Sequence, residues 1–229
     1  MKIVFLHGLG QDEQSWKDVI SYLPNSYSCK SLSLFNHLNS TDTATLDDLT
    51  KYIEVQLNQI KEPFILCGLS LGAVIALNYL ATPSPYLKKV VLVAPQFESP
   101  NRLLLTFQNI YFYCVPSKIF EKLGLSKKQT LTLLRSLETL DCKKQLRTSR
   151  LPKLILCGTK DHANKPAAKR LYKLSTNGRL LFIKNGKHEL NREKPEIMAL
   201  CQMMLVKRNL RIIWTEQKEE NLFLFCLFG

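Results

Sequence analysis

The sequence predicts an α/β protein: a doubly wound, mostly parallel sheet of about six strands, with a helical cap inserted after the fourth. Three observations carry that prediction. Continuously apolar runs of strand length recur at Lys2–Leu6, Phe64–Cys67, Lys88–Ala94 and Lys153–Cys157, as strands buried on both faces require. Stretches with apolar residues at helical spacing separate them. The alternation breaks once, between Gln96 and Arg150, and then resumes.

In chain order, Lys2–Leu6 is the first strand and empties into His7-Gly8-Leu9-Gly10. A helix is expected from near Ser15, carrying Trp16, Val19, Ile20 and Leu23 on one face. Tyr27–Leu34 fits a second strand. Thr43–Ile60 places apolar residues at 46, 49, 53, 57 and 60, an amphipathic helix with Thr43 or Thr45 as its cap. Lys61-Glu62-Pro63 punctuates the chain before the third strand. A helix follows that strand, with Leu71, Val74, Ile75, Leu77, Leu80 and Ala81 at helical spacing until Pro83. Lys88–Ala94 is the fourth strand, stopped by Pro95.

Residues 96–150 read as helical pieces at Leu103–Tyr113, Ser117–Leu123 and Ser126–Leu140, the last two separated by Gly124. Phe97, Phe107, Tyr111, Phe112 and Tyr113 look exposed there, so this segment is expected to cap the site. Strand Lys153–Cys157, a helix over 165–174, strand Arg179–Ile183 and a final helix from Glu193 to Lys207 complete the domain, which spans 1–207 with its core in 1–95 and 151–207. Residues 208–229 are an extension of unassigned role that ends on an apolar heptad, Leu222–Phe228. Exposed, that heptad would favour aggregation.

Charge is unevenly spread over the chain. Residues 1–117 hold eight Lys/Arg against nine Asp/Glu, a net of −1. Residues 118–211 hold twenty-three against seven, a net of +16, and residues 212–229 hold one against three, a net of −2. The basic block could steer anionic substrates. Its lysines and arginines are scattered, without interleaved aromatics or a nucleic-acid motif, so a solvated face is expected and nucleic acid is not an expected partner. No apolar run reaches the ~20 residues of a membrane helix, and stable membrane insertion is not expected. The apolar start stops at Leu6 with no small-residue cleavage site after it. Seven cysteines (29, 67, 114, 142, 157, 201, 226) show neither framework nor zinc spacing, which suits a reducing cytoplasm and predicts no metal site.

The chemistry concentrates in Gly68-Leu69-Ser70-Leu71-Gly72, placed between a strand and a helix. A serine at the apex of such a tight turn needs small flanking residues, so Gly68 and Gly72 are expected to be sterically required. Serine chemistry also needs a base and a group that orients it. Of four histidines, only His188 follows the last strand. Asp161 closes the preceding strand, three residues after Gly158. His7 is expected to shape the loop after the first strand, His37 to be solvated in a polar loop, and His162 to be a loop residue. Glu98 is a rival acid.

His7-Gly8-Leu9-Gly10, the Ser70 turn, Gly158-Thr159-Lys160-Asp161 and His188-Glu189-Leu190-Asn191-Arg192-Glu193-Lys194-Pro195 together resemble the α/β-hydrolase superfamily, most of all its small cytosolic esterase-like members. The resemblance covers residues 1 to about 207. It implies a Ser70–His188–Asp161 triad and an oxyanion hole of the Leu9 and Leu71 backbone N–H groups, with Gly8 and Gly10 letting the loop approach the substrate. It implies no cofactor. Lys187 stands where most relatives carry glycine before the histidine, and the two leading antiparallel strands of larger members are not expected.

The activity implied is hydrolysis of a carboxylic ester or thioester, on a small acyl substrate that is anionic if the basic block steers it. Two alternatives stay open: C–C bond hydrolysis or a menaquinone-pathway-type elimination on a carboxylate-bearing substrate, and a non-catalytic binding protein. Synthases of that pathway typically carry Gly-Arg after the turn, where this chain has Ala73-Val74.

Overall fold

The computed structural model describes residues 1–39, 42–99, 120 and 124–206. Within them the apolar runs become one six-stranded, wholly parallel sheet: β1 (Lys2–Leu6), β2 (Ser28–Leu32), β3 (Phe64–Leu69), β4 (Leu87–Val93), β5 (Lys153–Gly158) and β6 (Gly178–Ile183), in spatial order β2-β1-β3-β4-β5-β6. The chain runs outward from β1 to β2, then crosses back to β3 on the other side of β1. Such a reversal opens a crevice at the carboxyl ends of the two diverging strands, where open α/β sheets bind ligands. Leu6 pairs with Gly68 there, so the loop after β1 and Ser70 after β3 leave the sheet side by side.

Strand alternation divides the core. Val4, Leu6, Phe64, Leu66, Val90, Leu92, Ile155 and Cys157 point to one face, against α2 (Leu46–Asn58) and α3 (Leu71–Tyr79). Ile3, Phe5, Ile65, Cys67, Val91, Val93, Leu154 and Leu156 point to the other, against Trp16 and α1 (Lys17–Ser21). Both faces are covered, which is why these strands carry almost no polar residue. Each large side chain buried this way stabilises the fold by about 1.5–3 kcal/mol.

Local signals set the helix ends. Thr45, rather than Thr43, caps α2 in a capping box with Asp48, and Thr43 donates its hydroxyl to the same carboxylate at 2.9 Å. A 3₁₀ turn, Glu13–Trp16, capped by Asp12, precedes α1. β2 stops short of the expected Leu34 because the Leu34 N–H is given to His7 Nε2 at 3.0 Å, not to the sheet ladder.

Between β4 and β5 lie α4 (Lys127–Ser136), capped by Ser126 and Gln129, and α5 (Lys143–Thr148). Leu125, Leu133, Leu140, Cys142 and Leu146 join the core that holds α2 and α3, and Ser136 Oγ accepts from Leu46 N–H at 2.8 Å. This half of the insertion therefore extends the helical layer. Phe97, expected to be exposed, is fully buried, and its carbonyl accepts from Cys142 N–H at 2.8 Å. The expected helices Leu103–Tyr113 and Ser117–Leu123, which make up the first part of the expected cap, and the 208–229 extension fall mainly or wholly outside the described residues.

After β5, α6 (Lys165–Leu174) packs on the α3 face, and α7 (Leu190–Glu193) and α8 (Pro195–Val206) close the other. The single final helix expected from Glu193 is broken at Lys194, since a residue preceding proline is disfavoured in helical geometry; Lys194 takes φ −142°, ψ 51°. Cys29, Cys67, Cys142 and Cys157 are free thiols. Among the described residues no helix is long and apolar enough to cross a membrane.

Candidate active site

Ser70 is the only residue between β3 and α3, and its backbone pays for the sharp reversal with φ 51°, ψ −110°. Its N–H donates to Val93 O at 2.9 Å, and its carbonyl accepts from Ala73 and Val74 as α3 begins. The two flanking glycines are required for different reasons. A Cβ at Gly68 would lie 2.3 Å from Gly72 O, so this glycine closes the turn itself. A Cβ at Gly72 would lie 2.5 Å from Leu6 O and 2.7 Å from His7 O, so this one lets α3 dock on the end of β1. The collision that requires it is with a neighbouring strand, not across the turn.

The loop after β1 comes against the serine. A Cβ at Gly8 would meet Ser70 Cβ at 3.5 Å, an ordinary contact, so the approach does not demand glycine there. Gly10 does need its freedom, at φ 81°. Buried His7 fixes the loop by accepting from Leu34 N–H through Nε2 and donating from Nδ1 to Gly8 O at 2.9 Å. Desolvation lowers its pKa and keeps it neutral, as both bonds require. Gly8 O also accepts from Gln11 N–H, so the trans-opposed N–H of the same peptide, that of Leu9, points the other way. Among the described residues neither Leu9 N–H nor Leu71 N–H has an acceptor. Leu71 sits in the first turn of α3, where free N–H groups and the helix dipole favour negative charge.

The other half of the site comes from the ends of β5 and β6. Here the deciding contact is backbone to backbone: a Cβ at Gly158 would lie 2.2 Å from Gly186 O and 2.4 Å from Lys187 O. That closeness sets Asp161 against His188, with Nδ1 3.0 Å from Oδ2. Asp161 is almost fully buried, while the His188 side chain is 43% exposed. Burial alone would raise the Asp161 pKa; hydrogen bonds from His188 and Asn164 outweigh it and hold the carboxyl below its usual range. Asn164 places Nδ2 at 2.9 Å and 3.0 Å from the two Asp161 oxygens, and Gln96 donates to Asn164 Oδ1 at 2.6 Å. Neither amide stood out in the sequence. The three-residue spacing from Asp161 to Asn164 is a local signal, but Gln96 arrives only through the tertiary fold.

The remaining candidates are engaged elsewhere. Glu98 pairs with Arg170 at 2.8 Å and Lys143 at 3.2 Å, and His188 faces Asp161 instead. His37, expected to be solvated, is stacked on Tyr52 with ring centroids 3.6 Å apart. His162 is exposed. Ser70 Oγ forms no hydrogen bond with His188 among the described residues, although both stand at the carboxyl edge of the sheet.

A model of the Alpha/beta hydrolase family matches residues 3–199. The chain belongs to that family. One curated relative, a putative 2-succinyl-6-hydroxy-2,4-cyclohexadiene-1-carboxylate synthase from Haemophilus influenzae, is 35% identical over 83 residues, a stretch that spans 34% of this chain and about a third (33%) of that protein. Solved alpha/beta hydrolase structures superpose over nearly the whole chain. An enol-lactonase from Burkholderia xenovorans LB400 does so with a TM-score of 0.76 at 14% identity, covering 90% of each chain. MenH from S. aureus gives 0.75 at 16% identity, covering 90% of this chain and 93% of its own. Identities this low speak for the fold alone. In this alpha/beta hydrolase the residue two beyond Gly72 is Val74, buried in the core.

Proposed function

We propose that the protein is a serine hydrolase that cleaves a carboxylic ester or thioester through Ser70, His188 and Asp161. The observation that carries this reading is the 3.0 Å Asp161–His188 pair standing at the same sheet edge as the strained Ser70 turn. Asp161 accepts the Nδ1 proton of His188, leaving Nε2 free as a base. The mechanism requires Nε2 of the half-exposed imidazole to come within hydrogen-bond reach of Ser70 Oγ, a contact that commonly tightens only when substrate binds. Oγ then attacks the acyl carbonyl and its proton passes to Nε2. The oxyanion is held by the Leu9 and Leu71 N–H groups, each worth about 3–4 kcal/mol in the transition state. His188 returns the proton to the leaving alcohol or thiol. Water, deprotonated by the same nitrogen, releases the acid and regenerates Ser70.

The test is labelling of the purified protein by a fluorophosphonate, together with burst kinetics on activated short-chain esters. Both are expected in the native chain and absent in Ser70→Ala. No label and no burst in the native chain would sink the proposal.

A second reading, elimination on a carboxylate-bearing substrate, is favoured by the resemblance to the H. influenzae synthase. Val74 offers no cation for such a carboxylate. Turnover of a succinyl-cyclohexadiene carboxylate precursor with none of simple esters would select this second reading.

A further inference from the structure

We propose that Asn164, anchored by Gln96, is a positioning residue that fixes which nitrogen of His188 carries the proton. The inference rests on the triad reading above and adds a fourth and a fifth side chain to it.

His188 Nδ1 has two neighbours at hydrogen-bond distance: Asp161 Oδ2 at 3.0 Å and Asn164 Nδ2 at 2.9 Å. One is an acceptor and the other a donor, so they select opposite tautomers. If Nδ1 accepted from Asn164, the imidazole proton would sit on Nε2 and could not receive one from Ser70. The surroundings of Asn164 settle the competition. Its Oδ1 is taken by the Gln96 amide at 2.6 Å, which fixes the amide with Nδ2 towards Asp161. The opposite orientation would set Oδ1 against a carboxylate. In the fixed orientation Nδ2 reaches both Asp161 oxygens, at 2.9 and 3.0 Å, and the Asn164 backbone N–H adds a contact at 3.2 Å. The amide hydrogens go to the carboxylate, and His188 Nδ1–H is left to complete its set of donors.

Burial makes the arrangement firm. Asn164 is 8% exposed and Asp161 6%, so water is a poor substitute for a lost donor. Asn164 makes no side-chain cap to α6, so its amide is free for this task. Gln96 is brought across by the turn after β4, where Ala94 adopts φ 46° while its N–H holds Leu156 O at 2.8 Å. A non-glycine residue in that region marks a turn held by its surroundings. Charged residues flank the network in the chain: Lys160 beside Asp161, Lys165 beside Asn164, and Lys187 and Glu189 on either side of His188, with Glu189 paired to Arg192. Glu98 is held by Arg170 and Lys143, and Asp161 and His188 face each other.

The decisive variant is Asn164→Leu, close in size but without donors, with Gln96→Leu as the milder partner. Loss of a donor to a buried charge is expected to lower kcat about 10- to 100-fold, with KM within about twofold. The His188 imidazole, followed by ¹⁵N NMR in its neutral form, is expected to change from the Nδ1–H tautomer alone to a mixture with Nε2–H, because the carboxylate it faces is no longer held by the Asn164 amide. Gln96→Leu shifts the tautomer ratio the same way by a smaller amount, and decides the matter if Asn164→Leu fails to fold. A kcat loss with the His188 tautomer unchanged would assign Asn164 a packing role and overturn the proposal, as would unchanged kinetics and tautomer. The NMR readout needs no turnover, so an inactive native chain would overturn the hydrolase reading and still leave the Asn164 proposal open to judgement.

Discussion

The two halves of the proposed site are built in opposite ways. The Ser70 half, proposed as the nucleophile, is local: Gly68 through Gly72 turn a strand into a helix within five residues, and Ser70 stands at the apex in a strained backbone conformation. The half proposed for acid–base chemistry is assembled from segments far apart in sequence, Gln96, Asp161–Asn164 and Gly186–His188, joined by hydrogen bonds and by one backbone contact at Gly158. A local device is robust to changes elsewhere in the fold. An assembled one depends on every loop that meets there.

The largest expected effects break the halves one at a time. Ser70→Ala removes the nucleophile and is expected to abolish labelling. Asp161→Asn leaves the assembled half nearly isosteric and costs about 10⁴-fold in kcat, while Glu98→Gln leaves kcat within about twofold. Steady-state kinetics on one activated ester compares all three, and a reversed order of the two carboxyl variants would transfer the acid role to Glu98.

Next come the glycines. Gly68→Ala and Gly158→Ala each force a Cβ onto a carbonyl, at 2.3 and 2.2 Å, and are expected to cost at least about 1–3 kcal/mol in urea denaturation. Gly8→Ala, with only an ordinary 3.5 Å contact, is expected to stay within about 1 kcal/mol of the native chain. Equal losses at all three positions would mean that contact distance does not govern these sites.

Smaller effects come from pH, where the two ends of β5 differ. Asp161, beyond its carboxyl end, is held below the usual range, so it stabilises the fold above the ordinary carboxylate pKa of about 3.9 and loses that contribution as pH falls through its folded value. Lys153, at the other end, is buried with its amine on Ser149 O and Leu151 O, and desolvation lowers its pKa to about 8. Here the unfolded chain binds more protons at this site between about pH 8 and 10.5, so the Lys153 contribution to stability rises with pH across that window, by about 1–3 kcal/mol. Burial raises the pKa of the Cys67, Cys142 and Cys157 thiols, which lowers stability over the same range in the native chain and in Lys153→Met alike. The stability difference between the two proteins, from denaturation at pH 8 and pH 10, is therefore expected to move in favour of the native chain at the higher pH. A difference that stays constant would refute it.

The apolar runs and the helical periods mark five strands to within two residues at each end, and the α/β class, because strands buried on both faces cannot hide their composition. β2 was overextended because Leu34 turns away to a histidine 27 residues earlier, a partner no local pattern reveals. Ser70, Asp161 and His188 stand out in the sequence as candidates for the same reason as the strands: each follows a strand whose end is marked in the chain, and the structure brings Asp161 and His188 together.

What only the tertiary structure decided is the company these residues keep. Gly72 is required by β1, Phe97 is buried beneath the insertion, and Asp161 rather than Glu98 meets His188. Asn164 and Gln96 enter the site as well. The physical reason is one of range. Strand and turn preferences act over a few neighbouring residues, whereas a hydrogen bond between loops depends on sheet order and backbone spacing, which exist only once the chain has folded.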